Sequence, residues 1–289
     1  MMHIFITGAG GWLGSTIVED LLNHGHQVSG LVRADEQAAR LTAAGARAVK
    51  GSLDDVEILK QAAANADAVI HTAFNHDFSR FMENCEQDRR TIELLGDALA
   101  GSDRPLLVTS GLAGLAKGAT EQGLPNPASP RKSEAAARAL HARGIHAAAV
   151  RLPPSVHGIG DHGFLPILIR LAREKGISAW PDNVDNCWSG VHRRDAARVY
   201  RLALEQGVTE QIYHAVAEES IPLRTIAETI GRNLGLPSGE REPEHFGWFA
   251  MMATADMAVS SEHTRRLLNW QTQEVDLLTD LNHPSYYSL

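Results

Sequence analysis

Cysteine is nearly missing from this 289-residue chain, which holds only Cys85 and Cys187. The two lie far apart and outside any C-x-x-C spacing, so neither a disulfide framework nor a cysteine metal site is expected, and a reducing, cytoplasmic setting fits. No apolar run reaches the length that a bilayer demands. The first residues pass from two methionines and a histidine straight into a strand-like run, with no basic n-region and no helical h-region, so no export signal is expected. Positive charge is not in excess either. The formal net charge of −8 argues against nucleic acid or an anionic membrane as partner and leaves a small molecule as the expected ligand. Tyrosine is scarce, four in all and none before Tyr200. Nothing in the pattern sets an oligomeric state, and a homodimer is compatible with it.

What the sequence does contain is an alternation. Runs rich in β-branched and apolar residues, HIFITG (3–8), HQVSGLVR (26–33), ARAVKG (46–51), ADAVIHTAF (66–74), RPLLVTSG (104–111) and IHAAAVRLP (145–153), predict strands. Between them, LGSTIVEDLLNHG, DDVEILKQAAANA and SEAAARALHARG carry apolar residues at three- and four-residue steps and predict helices. Near-continuous apolar strands joined by helices imply a parallel sheet covered on both faces. The expected fold class is therefore α/β, a doubly wound parallel sheet over residues 1–152 that the segment from about 190 to 217 completes. Residues 153–189 and 218–289 are expected to form a smaller, mostly helical C-terminal domain that holds the substrate. The charge run EQDRR (86–90) reads as a solvated helix face.

Strand, glycine turn and helix follow one another directly around Gly8, Gly11 and Gly14. Gly8 can supply an unusual turn dihedral, Gly11 lets phosphates approach the backbone, and Gly14 lets the helix pack close to the sheet. Backbone amides at the helix start, around Trp12 and Leu13, would attract a pyrophosphate, so a dinucleotide site is expected here. About twenty residues further on, where an NAD enzyme places a carboxylate for the ribose, this chain ends its second strand in LVRADE. Arg33 at that strand end can pair with a 2′-phosphate, which favours NADP over NAD, although Asp35 stands close by.

The spacing T-G-x-x-G-x-x-G, at Thr7, Gly8, Gly11 and Gly14, resembles that of the short-chain dehydrogenase/reductase superfamily, especially its extended, epimerase/dehydratase-like branch. GSLDD (51–55) resembles the family's loop beneath the adenine, HTAF (71–74) its loop after strand four, and RLPPSVHG (151–158) its motif after strand six. VHRRDAARVY (191–200) is similar to the segment where such chains return to the main domain. The resemblance implies a Rossmann fold. It also implies cofactor contacts from Ser52, Leu53, Thr72, Ala73, Phe74, Thr109 and Pro153, beside Thr7 and the glycine loop.

One part of the family pattern is missing. Its usual catalysis resembles a Tyr-x-x-x-Lys pair with a nearby serine, yet LPNPASPRKSEAAARAL (124–140), where that pair should lie, contains no tyrosine. In VTSGLAG (108–114), Ser110 is a candidate hydrogen-bond donor to a substrate oxygen. A replacement proton donor is expected on loops after the strands. FNHDFSR (74–80) offers His76 with Asp77, and SVHGIGDHG (155–163) offers His157. No metal is expected, because the histidine spacing puts no two ligands on one helical face. Trp180, Trp188, Phe246, Trp248, Phe249, Met251 and Met252 bias the C-terminal part toward core packing, and any that face a ligand suit an apolar or aromatic carbonyl. The expected function is an NADP-dependent oxidoreductase of the atypical type. A non-catalytic NADP(H) sensor and an epimerase or dehydratase acting on a sugar-like substrate are the alternatives.

Overall fold

The computed structural model describes residues 1–288. In chain order its first part runs β1 (His3–Thr7), α1 (Trp12–Asn23), β2 (Gln27–Val32), α2 (Asp35–Ala43), β3 (Arg47–Lys50), α3 (Val56–Ala64), β4 (Ala68–His71), α4 (Phe81–Leu99), β5 (Leu106–Gly111), α5 (Ser133–Ala142) and β6 (Ala147–Leu152). It continues through β7 (Ser155–His157), α6 (Phe164–Lys175), β8 (Ser178–Pro181), β9 (Cys187–His192), α7 (Arg193–Glu205), β10 (Ile212–His214), β11 (Glu218–Pro222), α8 (Leu223–Leu234) and β12 (Ser238–Arg241). Three short helices follow, α9 (Ala250–Thr254), α10 (Glu262–Leu268) and α11 (Leu277–Leu281).

Each run that predicted a strand forms one, and together with β10 they make a seven-stranded sheet in the order β10-β6-β5-β4-β1-β2-β3. The pairs β1–β2, β2–β3, β1–β4 and β4–β5 are parallel. Winding outward from β1 in both directions is what makes the sheet doubly wound, and the reversal between β1 and β4 is the place where such sheets bind ligands. Ile4, Phe5, Ile6, Val69, Ile70, Leu106, Leu107 and Val108 are all fully buried, as strands covered on both faces must be. The edge strand β3 is shorter and partly exposed.

The chain divides into two compact units, the first made of 1–110, 127–151 and 197–213, the second of 111–126, 152–196 and 214–289. Segment 111–126, read from the sequence as part of the first unit, packs in the second. Leu112 and Leu115 form an apolar cluster with Val216 and Val259, and Glu121 accepts hydrogen bonds from the amide and hydroxyl of Thr264 at 2.8 and 2.6 Å. The second unit has helices, as expected, and two small sheets besides: β11-β9-β7 and β12-β8. Its core gathers Trp188, Phe246, Phe249, Leu165 and Ile226. Among the described residues no helix is long and apolar enough to cross a membrane.

Candidate functional site

β1 ends at Thr7 and the chain turns through Gly8, whose φ of 73° belongs to the left-handed region and is open to glycine at little cost. A Cβ on Gly8 would stand 2.8 Å from both Ala73 N and Thr72 Oγ1, and one on Gly14 would stand 2.0 Å from Gly8 O. Both positions therefore exclude any side chain. Gly11 precedes α1 in an extended conformation, offers no side-chain cap, and is followed by no acidic residue in the first turn. The positive end of the α1 dipole thus faces the glycine turn with no side-chain cap and no acid in the first turn to offset it, an arrangement that favours an anion. The loop after β4 is tied to this turn: Thr72 Oγ1 donates to Thr7 O at 2.7 Å, and Ala73 N donates to Thr7 Oγ1 at 3.4 Å.

Beneath the turn runs a buried chain of polar groups. Thr7 Oγ1 lies 2.7 Å from His71 Nδ1, His71 Nε2 lies 3.1 Å from Asp88 Oδ1, and Ser133 Oγ donates to Asp88 Oδ2 at 2.5 Å. All four residues are at most 2% exposed. Burial alone would raise the Asp88 carboxyl, but the His71 hydrogen bond and charge, the Arg131 charge and the Ser133 hydroxyl together hold it below the usual carboxylate range. An ionised Asp88 only accepts, so His71 donates to it from Nε2. The solvated face expected for EQDRR is corrected at this residue: Glu86, Arg89 and Arg90 pair with one another on the outside, while Asp88 points inward. The missed signal was its spacing, since Cys85, Asp88, Ile92, Leu95 and Leu99 form one inward helical stripe.

The chain of polar groups continues to Arg131. Its Nε donates to Ser133 Oγ at 3.0 Å, its Nη2 donates to Thr109 O at 3.4 Å, and its guanidinium lies 4.4 Å from the centre of the Phe74 ring. α5, which begins at Ser133, is pinned to β6 by a buried bidentate pair in which Arg151 donates to both oxygens of Glu134 at 2.7 and 2.8 Å. Burial opposes ionisation of Glu134, but the hydrogen bonds and charge of Arg151, aided by Arg138, keep its carboxyl below the ordinary range. Thr109 Oγ1 shares a 2.8 Å hydrogen bond with Tyr200 OH. Tyr200 is fully buried, and burial drives its phenol well above the normal range. The earliest tyrosine in the chain is thus a packed core residue. Ser110, buried at the end of β5, makes no side-chain hydrogen bond among the described residues.

At the end of β2, Arg33 is exposed and has no ionic or hydrogen-bonding partner among the described residues. Asp35 pairs with Lys50. Ser52 is locked in its own loop, its amide and hydroxyl donating to Asp55 at 2.7 and 2.8 Å, while Leu53 packs on the core. Leu13 is buried and Trp12 half-buried at the start of α1. The exposed His76 packs edge to face with Phe74, their ring centres 5.4 Å apart. Asp77 Oδ1 accepts from the Ser79 amide at 3.0 Å and from its hydroxyl, capping a turn, and these bonds lower its carboxyl.

His157 and Pro153 belong to the second unit, where both are buried. His157 Nδ1 lies 2.9 Å from Asp280, and Nε2 lies 3.8 Å from Glu218. Burial alone would lower this imidazole, but the two carboxylates push it up to about 9, the arrangement of an internal ion-pair node. Of the C-terminal aromatics and methionines, Trp188, Phe246 and Phe249 are core, whereas Trp248 and Met251 are exposed.

A family described as NAD(P)H-binding matches residues 8–154. An uncharacterised protein of Schizosaccharomyces pombe is 45% identical over 295 residues, covering 99% of this chain and 100% of that one. A 4-hydroxy-2-methyl-3-oxo-4-farnesyl-3,4-dihydroquinoline-1-oxide ketoreductase of Stigmatella aurantiaca is 26% identical over 81% of this chain and 74% of its own. In fold, the chain is similar to a dTDP-glucose 4,6-dehydratase of Streptomyces venezuelae, with a TM-score of 0.77, 21% identity, and coverage of 99% of this chain and 97% of that one. The chain belongs to the NAD(P)H-binding family and has a Rossmann fold similar to that of the dTDP-glucose 4,6-dehydratase.

Proposed function

We propose that this protein is an NADP(H)-dependent oxidoreductase acting on a small apolar or aromatic carbonyl or the corresponding alcohol. The observation that carries the reading is Ser110, a hydroxyl at the carboxyl end of β5 with no hydrogen bond of its own among the described residues, in a chain with a ketoreductase among its relatives. The glycine cradle that any Cβ would fill supports a dinucleotide at β1–α1. The unpartnered Arg33, with Asp35 drawn to Lys50, supports NADP: the guanidinium is available to a 2′-phosphate, and the competing carboxylate is engaged.

When bound, the dihydronicotinamide supplies a hydride for a carbonyl carbon. In this reading Ser110 donates a hydrogen bond to the carbonyl oxygen and orients it. His76, held against Phe74, is the proton source on the same rim, and Asp77 sets the turn that presents it. Thr7 and the Asp88 chain keep the cradle rigid beneath.

The test is NADPH and NADH binding, then turnover on a panel of aromatic and aliphatic aldehydes, ketones and 2-oxo acids, for the wild type, Arg33→Ala and Ser110→Ala. Tighter binding of NADPH than NADH, reduced about tenfold or more by Arg33→Ala, is the expected result for cofactor choice. Equal wild-type affinities would refute it. A second reading, a non-catalytic NADP(H)-binding protein, is favoured by one observation: no tyrosine precedes Tyr200, and the Tyr200 hydroxyl is buried on Thr109. Tight NADPH binding without turnover of any panel member would select it.

A further inference from the structure

Arg131 is a half-buried cation with no carboxylate in ion-pair contact among the described residues. The one acid on its network, Asp88, is linked to it through the Ser133 hydroxyl and feels its charge without direct ion-pair contact. Its guanidinium is nonetheless held still: Phe74 lies beneath the plane, Ser133 Oγ takes Nε, and the carbonyl of Thr109 takes Nη2. Nη1 engages no group among the described residues. A preorganised fork that is partly desolvated and keeps donors in reserve gains most from an anion, because little side-chain freedom is left to lose and the bond formed is charge-assisted. Arg131 is anchored on the residue directly before Ser110, whose hydroxyl is also unengaged. Two unused donors, one neutral and one cationic, are therefore fastened to consecutive residues at the end of β5.

We propose that Arg131 binds the carboxylate of the substrate, so that the preferred carbonyl compounds are 2-oxo acids or close analogues, with the carbonyl oxygen at Ser110 and the carboxylate at Arg131. This rests on the oxidoreductase reading for the identity of the site, and it narrows the substrate class from any small carbonyl to an anionic one. Phe74 would then serve two purposes, holding the guanidinium flat and offering its ring edge to an aromatic or apolar tail.

The experiment measures binding, which is independent of turnover. Phenylpyruvate and the neutral ketone phenylacetone are titrated calorimetrically into the protein saturated with NADP+, which has no hydride to give them, using wild type, Arg131→Lys and Arg131→Met. The expected result is that phenylpyruvate binds about tenfold or more tighter than phenylacetone in the wild type. That preference should be abolished in Arg131→Met and partly kept in Arg131→Lys, with NADPH affinity within about twofold of wild type in both. Equal affinities for the two probes in the wild type, or an undiminished preference in Arg131→Met, would overturn the proposal. So would a loss of NADPH affinity in properly folded Arg131→Met, which would assign the arginine to a phosphate of the dinucleotide. Arg131→Lys, which keeps the charge, decides the question should the methionine variant not fold. Binding preference without any turnover would sink the oxidoreductase reading while leaving carboxylate recognition by Arg131 supported.

Discussion

Replacing Asp88 tests the polar chain beneath the glycine turn most directly. Asp88→Ala removes both oxygens to which the His71 Nε2 hydrogen and the Ser133 hydroxyl donate, at 3.1 and 2.5 Å, from a position 2% exposed. Each stranded buried donor costs about 1–3 kcal/mol. Two of them give an expected loss of about 4 kcal/mol, a large share of the roughly 5–15 kcal/mol that holds a domain together. Asp88→Asn keeps the volume and one oxygen, so it strands one donor and costs about 2 kcal/mol.

The assay is urea unfolding at neutral pH followed by hydrogen exchange of the β4 and β5 amides, which reports the first unit separately from the second. The expected order of stability is wild type, Asp88→Asn, Asp88→Ala. The sign of the pH dependence follows from the depressed carboxyl: Asp88 stabilises fully above the unfolded carboxylate value near about 4 and loses that contribution as pH falls through its lower folded value. The deficit of Asp88→Ala should therefore shrink only in strong acid. A deficit under about 0.5 kcal/mol at neutral pH would refute the reasoning, since it would mean that water replaces the carboxylate at no cost.

Gly14→Ala should lower NADPH affinity about tenfold or more by titration, because the new methyl would meet Gly8 O and must displace the glycine turn, the proposed seat of the cofactor's phosphates. Glu134→Gln, which leaves the fully buried Arg151 without its anion, should cost about 3–5 kcal/mol in denaturant melts, and a neutral result would show that this pair is solvated. His157 is raised to about 9 by Asp280 and Glu218 against the effect of burial. Its contribution is complete below the unfolded histidine value of about 6.5 and disappears as pH rises toward 9. Thermal melting of the wild type should therefore weaken across that interval, and Asp280→Asn should flatten the profile. Ser110→Ala should reduce kcat about tenfold with NADPH affinity retained, while an unchanged kcat would remove Ser110 from the reaction.

The seven strands of the main sheet and the glycine turn were legible because both depend on local chemistry. Apolar runs such as HIFITG have few alternatives to a buried strand, and Gly8 and Gly14 stand where no side chain fits. The exposed ends Arg33 and His76 were also readable as positions at strand ends and loops. Asp88 was not, because its neighbours Glu86, Arg89 and Arg90 are a true surface run and only the helical phase turns one member inward. Segment 111–126 was misassigned because nothing in its composition tells which core Leu112 and Leu115 will join.

By itself, then, the order of residues determined the sheet, the glycine turn between β1 and α1 and the absence of an early tyrosine, since each follows from neighbours along the chain. Only the tertiary structure decided which charges are inside. It joined Thr7, His71, Asp88, Ser133 and Arg131, contributed by β1, β4, α4 and α5 with the loop before it, into one hydrogen-bonded line. It also gave Asp77 to a cap and His157 to an internal ion pair. The physical reason is that burying a polar group is tolerable only with a partner, and partners are chosen by proximity in space, which residue spacing along a single element does not encode.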